Sequence, residues 1–481
     1  MATSRGRRRV AAGGVALTLL VGACAAGPDY KRPEAQAPSA FRDEAPHDGA
    51  WKKAQPSDDK LRGQWWQLFG DAQLDALEEK VTSANQTLKA ATAQYFAARD
   101  QIRVARAAYF PTAGVGPSVM RDRLSENQPN TVLGSTKFNY SVFLLEGQAQ
   151  WEPDLWGQVR RTVEQARADA QASAADLANV SLSLHAELAI DYFQLRGLDT
   201  QKQLLETTLA SDDDELQLTR KRFGGGVANA VDVAQAETQY RTVKAQAIDT
   251  GVARAQYEHA VATLIGVPAS TFALAPDPLV VVLPAIPAGL PSALLERRPD
   301  VAAAERRVAA ANAQIGIATA AYYPNITLSA TAGFESGALG SLFELPSLLW
   351  SLGASAFETL FDAGRRHALT DQARDAYEGQ VATYRQSVLA AFQDVEDNLS
   401  ALRILEEEAE AQAAAVEAAR QSLALSDKRY LGGVATYLEV LTAQTFQLNN
   451  ERAQADVATR RCTASVQLIK ALGGGWTGDA R

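Results

Sequence analysis

The sequence predicts a mainly α-helical protein with a few short β-strands, folded as two tandem copies of one unit. Three observations carry this expectation. The stretch "KRFGGGVANAVDV" (221–233) returns as "KRYLGGVATYLEV" (428–440), each time as a glycine break between two long helix-forming runs. Residues 325–334 alternate apolar and polar with period two, and residues 138–144 do so more loosely. The chain opens with a basic start, a short apolar run and small residues before Cys24, the pattern of a lipoprotein export signal.

The elements follow in order. Residues 1–23 are the signal, and lipid on Cys24 would tether the mature chain to a membrane. Residues 24–69 begin as a Pro-, Ala- and charge-rich arm. The first repeat, 70–266, starts with a helix running to about Ala108, where Pro111 stops it. Strands at about 111–122 and 137–152 follow, then a long helix over 156–223, a glycine tip at 223–228 and a helix over 228–265. A Pro-rich linker covers 267–292. The second repeat, 293–473, runs through a helix from about Leu294, strands at about 324–335 and 349–361, a long helix to Tyr430, a tip at 430–435 and a last helix to about Leu472. Residues 474–481 are a tail.

The strands point to a membrane. Ile326, Leu328, Ala330, Ala332 and Phe334 are apolar, while Asn325, Thr327, Ser329 and Thr331 between them are polar. One face then meets lipid and the other water. In the first repeat the apolar phase shifts from Phe138, Tyr140, Val142 and Leu144 to Leu145, Ala149 and Trp151. That shift predicts a bulge near Leu144, or a strand leaving the bilayer there. Strands in lipid cannot leave an open edge, because each unpaired backbone group costs several kcal/mol. About four strands per chain cannot close a barrel, whose known minimum is about eight. Several chains must share one, about twelve strands for a trimer or about eight for a dimer. No later apolar run is long enough for a membrane helix.

The long helix over 156–223 would span on the order of 100 Å at 1.5 Å per residue. The helices over 228–265 and from Leu294 together match that length, so the glycine tips are read as turns at the far end of a helical tube. Val301, Val308, Ile315 and Tyr322, with Ala304, Ala311 and Ala318 between them, form a narrow heptad seam. Val416, Leu423 and Tyr430 repeat the spacing.

Several functions are excluded. The formal charge is −9, and Arg5, Arg7, Arg8 and Arg9 leave with the signal, so the mature chain is more acidic still and suits no nucleic acid. Besides Cys24 only Cys462 is present, which permits no disulfide framework. His47, His185, His259 and His367 lack ligand spacing, and no cofactor is implied. Glu296, Asp300 and Glu305 in "ERRPDVAAAE" read as a helix start, with Pro299 in the first turn and Asp300 at the positive end. The triple glycine does not follow a strand as a phosphate loop would. No nucleophile and base stand together, and the chain reads as a non-enzyme.

The phrases "CAAGPDYKRPEAQAPSAF", "WWQLFGDAQLDALEEKVTSANQTLKAA", "WEPDLWG", "LLERRPDVAAAERRVAAANAQIGIATAAYYPNITLSA" and "KRYLGGVATYLEVLTAQ" cover essentially the mature chain in order. They resemble TolC-type outer-membrane efflux channels, in the lipoprotein (NodT-like) branch that serves resistance-nodulation-division pumps. The resemblance implies a homotrimer with a shared barrel of about twelve strands, a periplasmic barrel of about twelve helices and an equatorial belt. It implies a passive duct in a Gram-negative outer membrane, anchored by lipid and joined through a periplasmic adaptor to an inner-membrane pump. A protein-secretion or heavy-metal duct would share the fold, whereas a soluble periplasmic scaffold would need no alternating strands. The tips Gly225, Gly226, Val227, Gly432, Gly433 and Val434 are expected to receive the adaptor. By the family motif, Leu438 falls at an apolar constriction, Glu439 at an acidic ring, and Tyr430 with Asp232 at a hydrogen-bonded latch. Thr442 stands where a second acidic ring is common and Ala435 where a latch arginine can stand, so a single acidic ring and a weaker latch are expected here.

Overall fold

A computed structural model describes residues 25–34, 63–125, 139–284, 286 and 298–474. The signal, Cys24, most of the arm, Glu296 and the tail lie outside these residues. The elements are α1 (Ala72–Ala84), α2 (Gln86–Ala107), β1 (Thr112–Arg123), β2 (Asn139–Trp151), α3 (Gln158–Gly224), α4 (Ala230–Leu264), α5 (Pro299–Ala320), β3 (Asn325–Ser336), β4 (Leu348–Phe357), α6 (Arg365–Leu431) and α7 (Tyr437–Ala471). The duplication is metrical as well as topological. Helices α3 and α6 each contain 67 residues, and α4 and α7 each contain 35.

Two boundaries differ from the sequence expectation. The first helix is broken at Asn85, whose extended backbone ends α1 while its side chain restarts α2. Asn85 Oδ1 accepts from Leu88 N at 2.9 Å, and its Nδ2 donates to Leu264 O at 2.8 Å, tying the break to the end of α4. Helix α5 is described from Pro299, and the expected start near Leu294 lies outside the described residues. Strand β4 stops at Phe357, short of residue 361.

The chain divides into two compact units. One combines residues up to Pro33 with Phe96–Ala172 and Glu305–Thr383, and holds all four strands. They form one antiparallel sheet in the order β1-β2-β3-β4. The register puts Ala113, Val115, Pro117 and Val119 of β1 on the side of Phe143, Leu145, Gly147 and Ala149 of β2. The same side continues through Phe334, Ala332 and Ala330 of β3 to Leu348, Trp350 and Leu352 of β4. The opposite side carries Gln148, Gln150, Thr331, Ser329, Ser351 and Ser355. One sheet face is therefore apolar and exposed, with Val115 77%, Trp350 71% and Leu352 76% accessible. The expected bulge is absent: pairing runs without interruption from Thr112↔Gln150 to Arg123↔Asn139, and from Phe143↔Ser336 to Trp151↔Leu328. The phase shift is one of chemistry, since Val142 and Leu144 place apolar side chains on the otherwise polar face at that end of β2. Among the described residues the outer edges of β1 and β4 pair with nothing.

Each sheet-to-helix transition is held by an aspartate clasp. Asp154 accepts from Val159 N, Arg160 N and Arg160 Nε at 2.9, 3.0 and 3.1 Å before α3. Asp362 accepts from Gly364 N, Arg366 N and Arg366 Nε at 3.0, 3.1 and 2.8 Å before α6. Each carboxylate satisfies amides that a helix start leaves free. Aromatic side chains gather near these strand ends. Trp156 stacks on Tyr323 at 5.0 Å and donates to Pro324 O at 2.7 Å, while Trp151 donates to Tyr109 O at 3.1 Å.

The second unit, Glu34–Tyr95, Ser173–Ala304 and Tyr384–Arg481, is helical. Its core includes Trp65, Leu74, Val81, Leu188 and Leu195, all within 1% of complete burial. Buried Asp199 ties down the inter-repeat linker. It pairs with Arg196 at 3.0 Å and Arg254 at 2.6 Å, and accepts from Asp277 N at 3.1 Å. Arg298 reaches Asp300, Asp394 and the carbonyls of Ala391 and Ala471, joining the start of α5 to α6 and the end of α7.

A buried pair in this unit titrates. His185 Nδ1 lies 2.6 Å from Glu78 Oε2, and the imidazole stacks on Trp66 at 4.5 Å. Burial pushes the Glu78 carboxyl up to about 9 and the His185 imidazole down to about 4, so both are neutral at pH 7. The two act in opposite senses. Glu78 binds its proton more tightly folded than unfolded, so its contribution is lost as pH rises through the folded value. His185 binds its proton less tightly folded, so its contribution is lost as pH falls below the usual histidine range. The unfolding midpoint, followed by circular dichroism across pH, is expected to decline on the alkaline side in the wild type and to decline less in Glu78→Gln. Parallel alkaline limbs for the two proteins would refute this assignment.

Candidate functional site

The two tips are built alike down to the individual hydrogen bond. At the end of α3, Val227 N donates to Arg222 O and Gly226 N to Phe223 O, both at 2.9 Å. At the end of α6, Val434 N donates to Arg429 O and Gly433 N to Tyr430 O, both at 3.0 Å. This is the paired closure of a helix C-terminus on a left-handed residue, supplied by Gly226 (φ 76°) and Gly433 (φ 72°). Gly225 and Gly432 have ordinary backbone, so one glycine per tip meets a backbone demand and not two. The chain then enters the returning helix through a capping box. Asp232 accepts from Asn229 N at 3.2 Å, and Glu439 accepts from Thr436 N at 3.3 Å.

The valine after each glycine would ordinarily fold back onto its helix. Here Val227 and Val434 are 71% and 70% exposed. Phe223, Val231, Leu431 and Leu438 are exposed beside them, so each tip presents an apolar patch next to basic Lys221, Arg222, Lys428 and Arg429.

The gate residues fall together, but not in the expected bonds. Tyr430 packs on the cluster of Leu216, Ala236, Tyr437 and Val440, with the Arg222 guanidinium 4.7 Å from its ring centre. Its hydroxyl is buried and meets no hydrogen-bond partner among the described residues. Within this chain the Tyr430 hydroxyl makes no bond to Asp232, whose Oδ2 accepts from Asn229 N in the capping box. Glu439 is also engaged, pairing with Arg429 at 3.1 Å. Leu438 and Thr442 are exposed, with Thr442 Oγ1 donating to Leu438 O at 2.7 Å. Sequence reasoning did not single out Arg222 and Arg429, although the "KR" before each tip is duplicated.

Cys24 lies outside the described residues, but the segment that follows it is anchored. Ala26 N donates to Trp156 O at 2.9 Å. Arg161 donates to Ala26 O and Gly27 O at 3.1 and 3.2 Å and pairs with Asp29 at 2.9 Å. Tyr30 reaches Glu305 and packs on Ala168, Ala309 and Ala310. Gly27, at φ 86°, passes so close to α5 that a Cβ would fall 2.4 Å from Gly316 Cα. Asp300 and Glu305 are thus structural partners, of Arg298 and Tyr30 respectively. Among the described residues no three His, Cys, Asp or Glu side chains could hold a metal ion, and no helix is long and apolar enough to cross a membrane.

An exposed apolar sheet face joined to paired long helices is the arrangement of a membrane-embedded channel subunit. The family model for outer membrane efflux proteins matches residues 77–267 and 290–474, and the chain belongs to that family. It is 33% identical over 470 residues to a probable efflux pump outer membrane protein, TtgC, of Pseudomonas putida, covering 96% of this chain and 95% of that one. It is 32% identical to the pyoverdine export outer membrane protein OpmQ of Pseudomonas aeruginosa, covering 97% of each. The solved outer-membrane channel OprN superposes with a TM-score of 0.87 at 30% identity, over 94% of this chain and all of that one.

Proposed function

We propose that the chain forms the outer-membrane exit duct of a tripartite efflux pump, passively conducting small toxic solutes and catalysing no reaction. The observation that carries the assembly is the pair of open edges on β1 and β4. With an apolar face suited to lipid, those edges must be closed by other copies of the chain. Three chains give a closed barrel of about twelve strands. Native mass spectrometry of the detergent-solubilised protein is expected to show a trimer. A stable monomer retaining its strand content would overturn shared closure.

The relatives support the class of cargo. OpmQ is named for pyoverdine export, and a further Pseudomonas putida relative, 33% identical, is named a toluene efflux pump outer membrane protein; both compounds are small organic molecules. Lipid on Cys24 is supported by the pinned segment 25–30, which fixes the chain after the cysteine beside Trp156 and the foot of β3. The aromatic side chains there suit a membrane interface. The duct stands in the outer membrane of a Gram-negative cell, with its helices in the periplasm, an adaptor at its tips and a resistance-nodulation-division pump beyond.

The gate is the ring of Leu438 and Glu439, held closed by the Arg222–Tyr430 stack and the Arg429–Glu439 pair. An exposed cation–π contact is worth about 0.5–1 kcal/mol and an exposed ion pair about as much or less. Such contacts bias a gate without locking it. In planar bilayers, Arg222→Ala is expected to raise single-channel conductance. Arg429→Ala frees Glu439 of its counter-ion and is expected to raise cation selectivity. Wild-type conductance and selectivity in both variants would remove these contacts from the gate.

A further inference from the structure

We propose that a groove between α3, α6 and α7 is a binding site for a small organic ammonium ion that carries N–H donors on an alkyl chain. The groove lies wholly within the helical unit and encloses about 630 Å³, within the range of small-molecule sites. Asp212 and Ser211 of α3, Arg420 and Leu423 of α6, and Gln444 and Leu448 of α7 line it.

Two buried acceptors of the lining have no donor among the described residues. Asp212 is 4% exposed, and its Oδ2 has no hydrogen-bond partner among the described residues. Gln444 Oε1, in the same lining, also has none, while its amide nitrogen donates to Glu215. The nearby hydroxyls do not help: Thr208 donates to Leu204 O at 3.0 Å and Ser211 to Thr207 O at 3.3 Å. They too face the groove with acceptor capacity. Arg420, the cation among the lining side chains, is committed to Glu451 at 2.8 Å. Buried acceptors without donors are costly, and an ionised one more so. A bound N–H cation would give Asp212 Oδ2 a donor and a counter-charge. Burial raises the Asp212 carboxyl to about 6, opposed by a hydrogen bond from Gln239, so it is mainly ionised at neutral pH. Leu204, Leu423 and Leu448 supply apolar wall for methylene groups.

Calorimetric titration of the full-length protein in detergent tests the site with two monovalent probes, n-hexylammonium and tetraethylammonium. The first carries N–H donors and the second does not. Binding of n-hexylammonium is expected, with binding of tetraethylammonium at least about tenfold weaker, the difference of one buried hydrogen bond to a charged group. Asp212→Asn keeps the shape and removes the charge, and is expected to weaken n-hexylammonium about tenfold or more. Glu417→Gln, at an exposed carboxylate of α6 outside the groove, should leave binding unchanged. Equal binding of the two probes, equal weakening by both variants, or no binding of n-hexylammonium to the wild type would each overturn the proposal.

Discussion

Arginine at Leu352 is expected to abolish insertion of the protein into the outer membrane, whereas arginine at the adjacent Ser351 is tolerated. Leu352 sits in the middle of β4, on the apolar face and three-quarters exposed. Its partner Ala330 and its same-face neighbour Trp350 continue that face. A charged side chain on the lipid face at mid-bilayer costs about 2–4 kcal/mol. In a trimer the cost is incurred three times, which rivals the whole stability of an ordinary domain. Ser351 pairs with Thr331 on the polar face, where a long basic side chain can stay in water. Outer-membrane fractionation, with a gel that preserves the oligomer, reads both variants. Wild-type yield of Leu352→Arg trimer would show that this face does not meet lipid.

The second large effect belongs to the tips. Val227→Arg with Val434→Arg should eliminate export while trimer yield is normal. Both valines follow the left-handed glycine and donate through their backbone nitrogens, so neither side chain is needed for the turn. Their exposure leaves an apolar anchor beside basic residues, and an arginine there removes the anchor and adds like charge. Losing an interface anchor worth about 2 kcal/mol lowers affinity roughly thirtyfold. Two such positions per chain, repeated around a trimer, leave little binding to the adaptor. Drug susceptibility of cells carrying the reconstituted pump, together with co-purification of the adaptor, measures the loss. Export at wild-type level in the double variant would reduce the tips to turns.

The strands and the repeat were legible because both write themselves in short-range pattern: period two in 325–334, and a copied glycine junction. What escaped was set by side chains that act locally against the pattern. Asn85 looks like a tolerable helix residue, yet its side chain offers the backbone an alternative partner and the helix breaks there. The phase shift in β2 suggested an extra residue, but an apolar pair on the wet face produces the same string without moving the register. The surroundings of Asp232 were hard to read for a similar reason. Asp232 was assigned to Tyr430 by motif, while its position three residues into α4 commits it to the cap. The groove at Asp212 had no signal at all, because it depends on three helices meeting.

The central pairing of the sheet joins β2 to β3, and Phe143 lies opposite Ser336. Between those two residues the chain must make α3, the first tip, α4, the linker and α5. The hairpin β1–β2 closes over a short distance, but the free edge of β2 has no mate within the chain until Leu328–Ser336 has been made. Helices can form from neighbours in sequence, whereas this seam needs a loop longer than many whole domains to close. A first half folded alone would carry a bare strand edge, which invites pairing with other chains. The order of manufacture is written into the sheet: it cannot be completed until the second copy has been delivered.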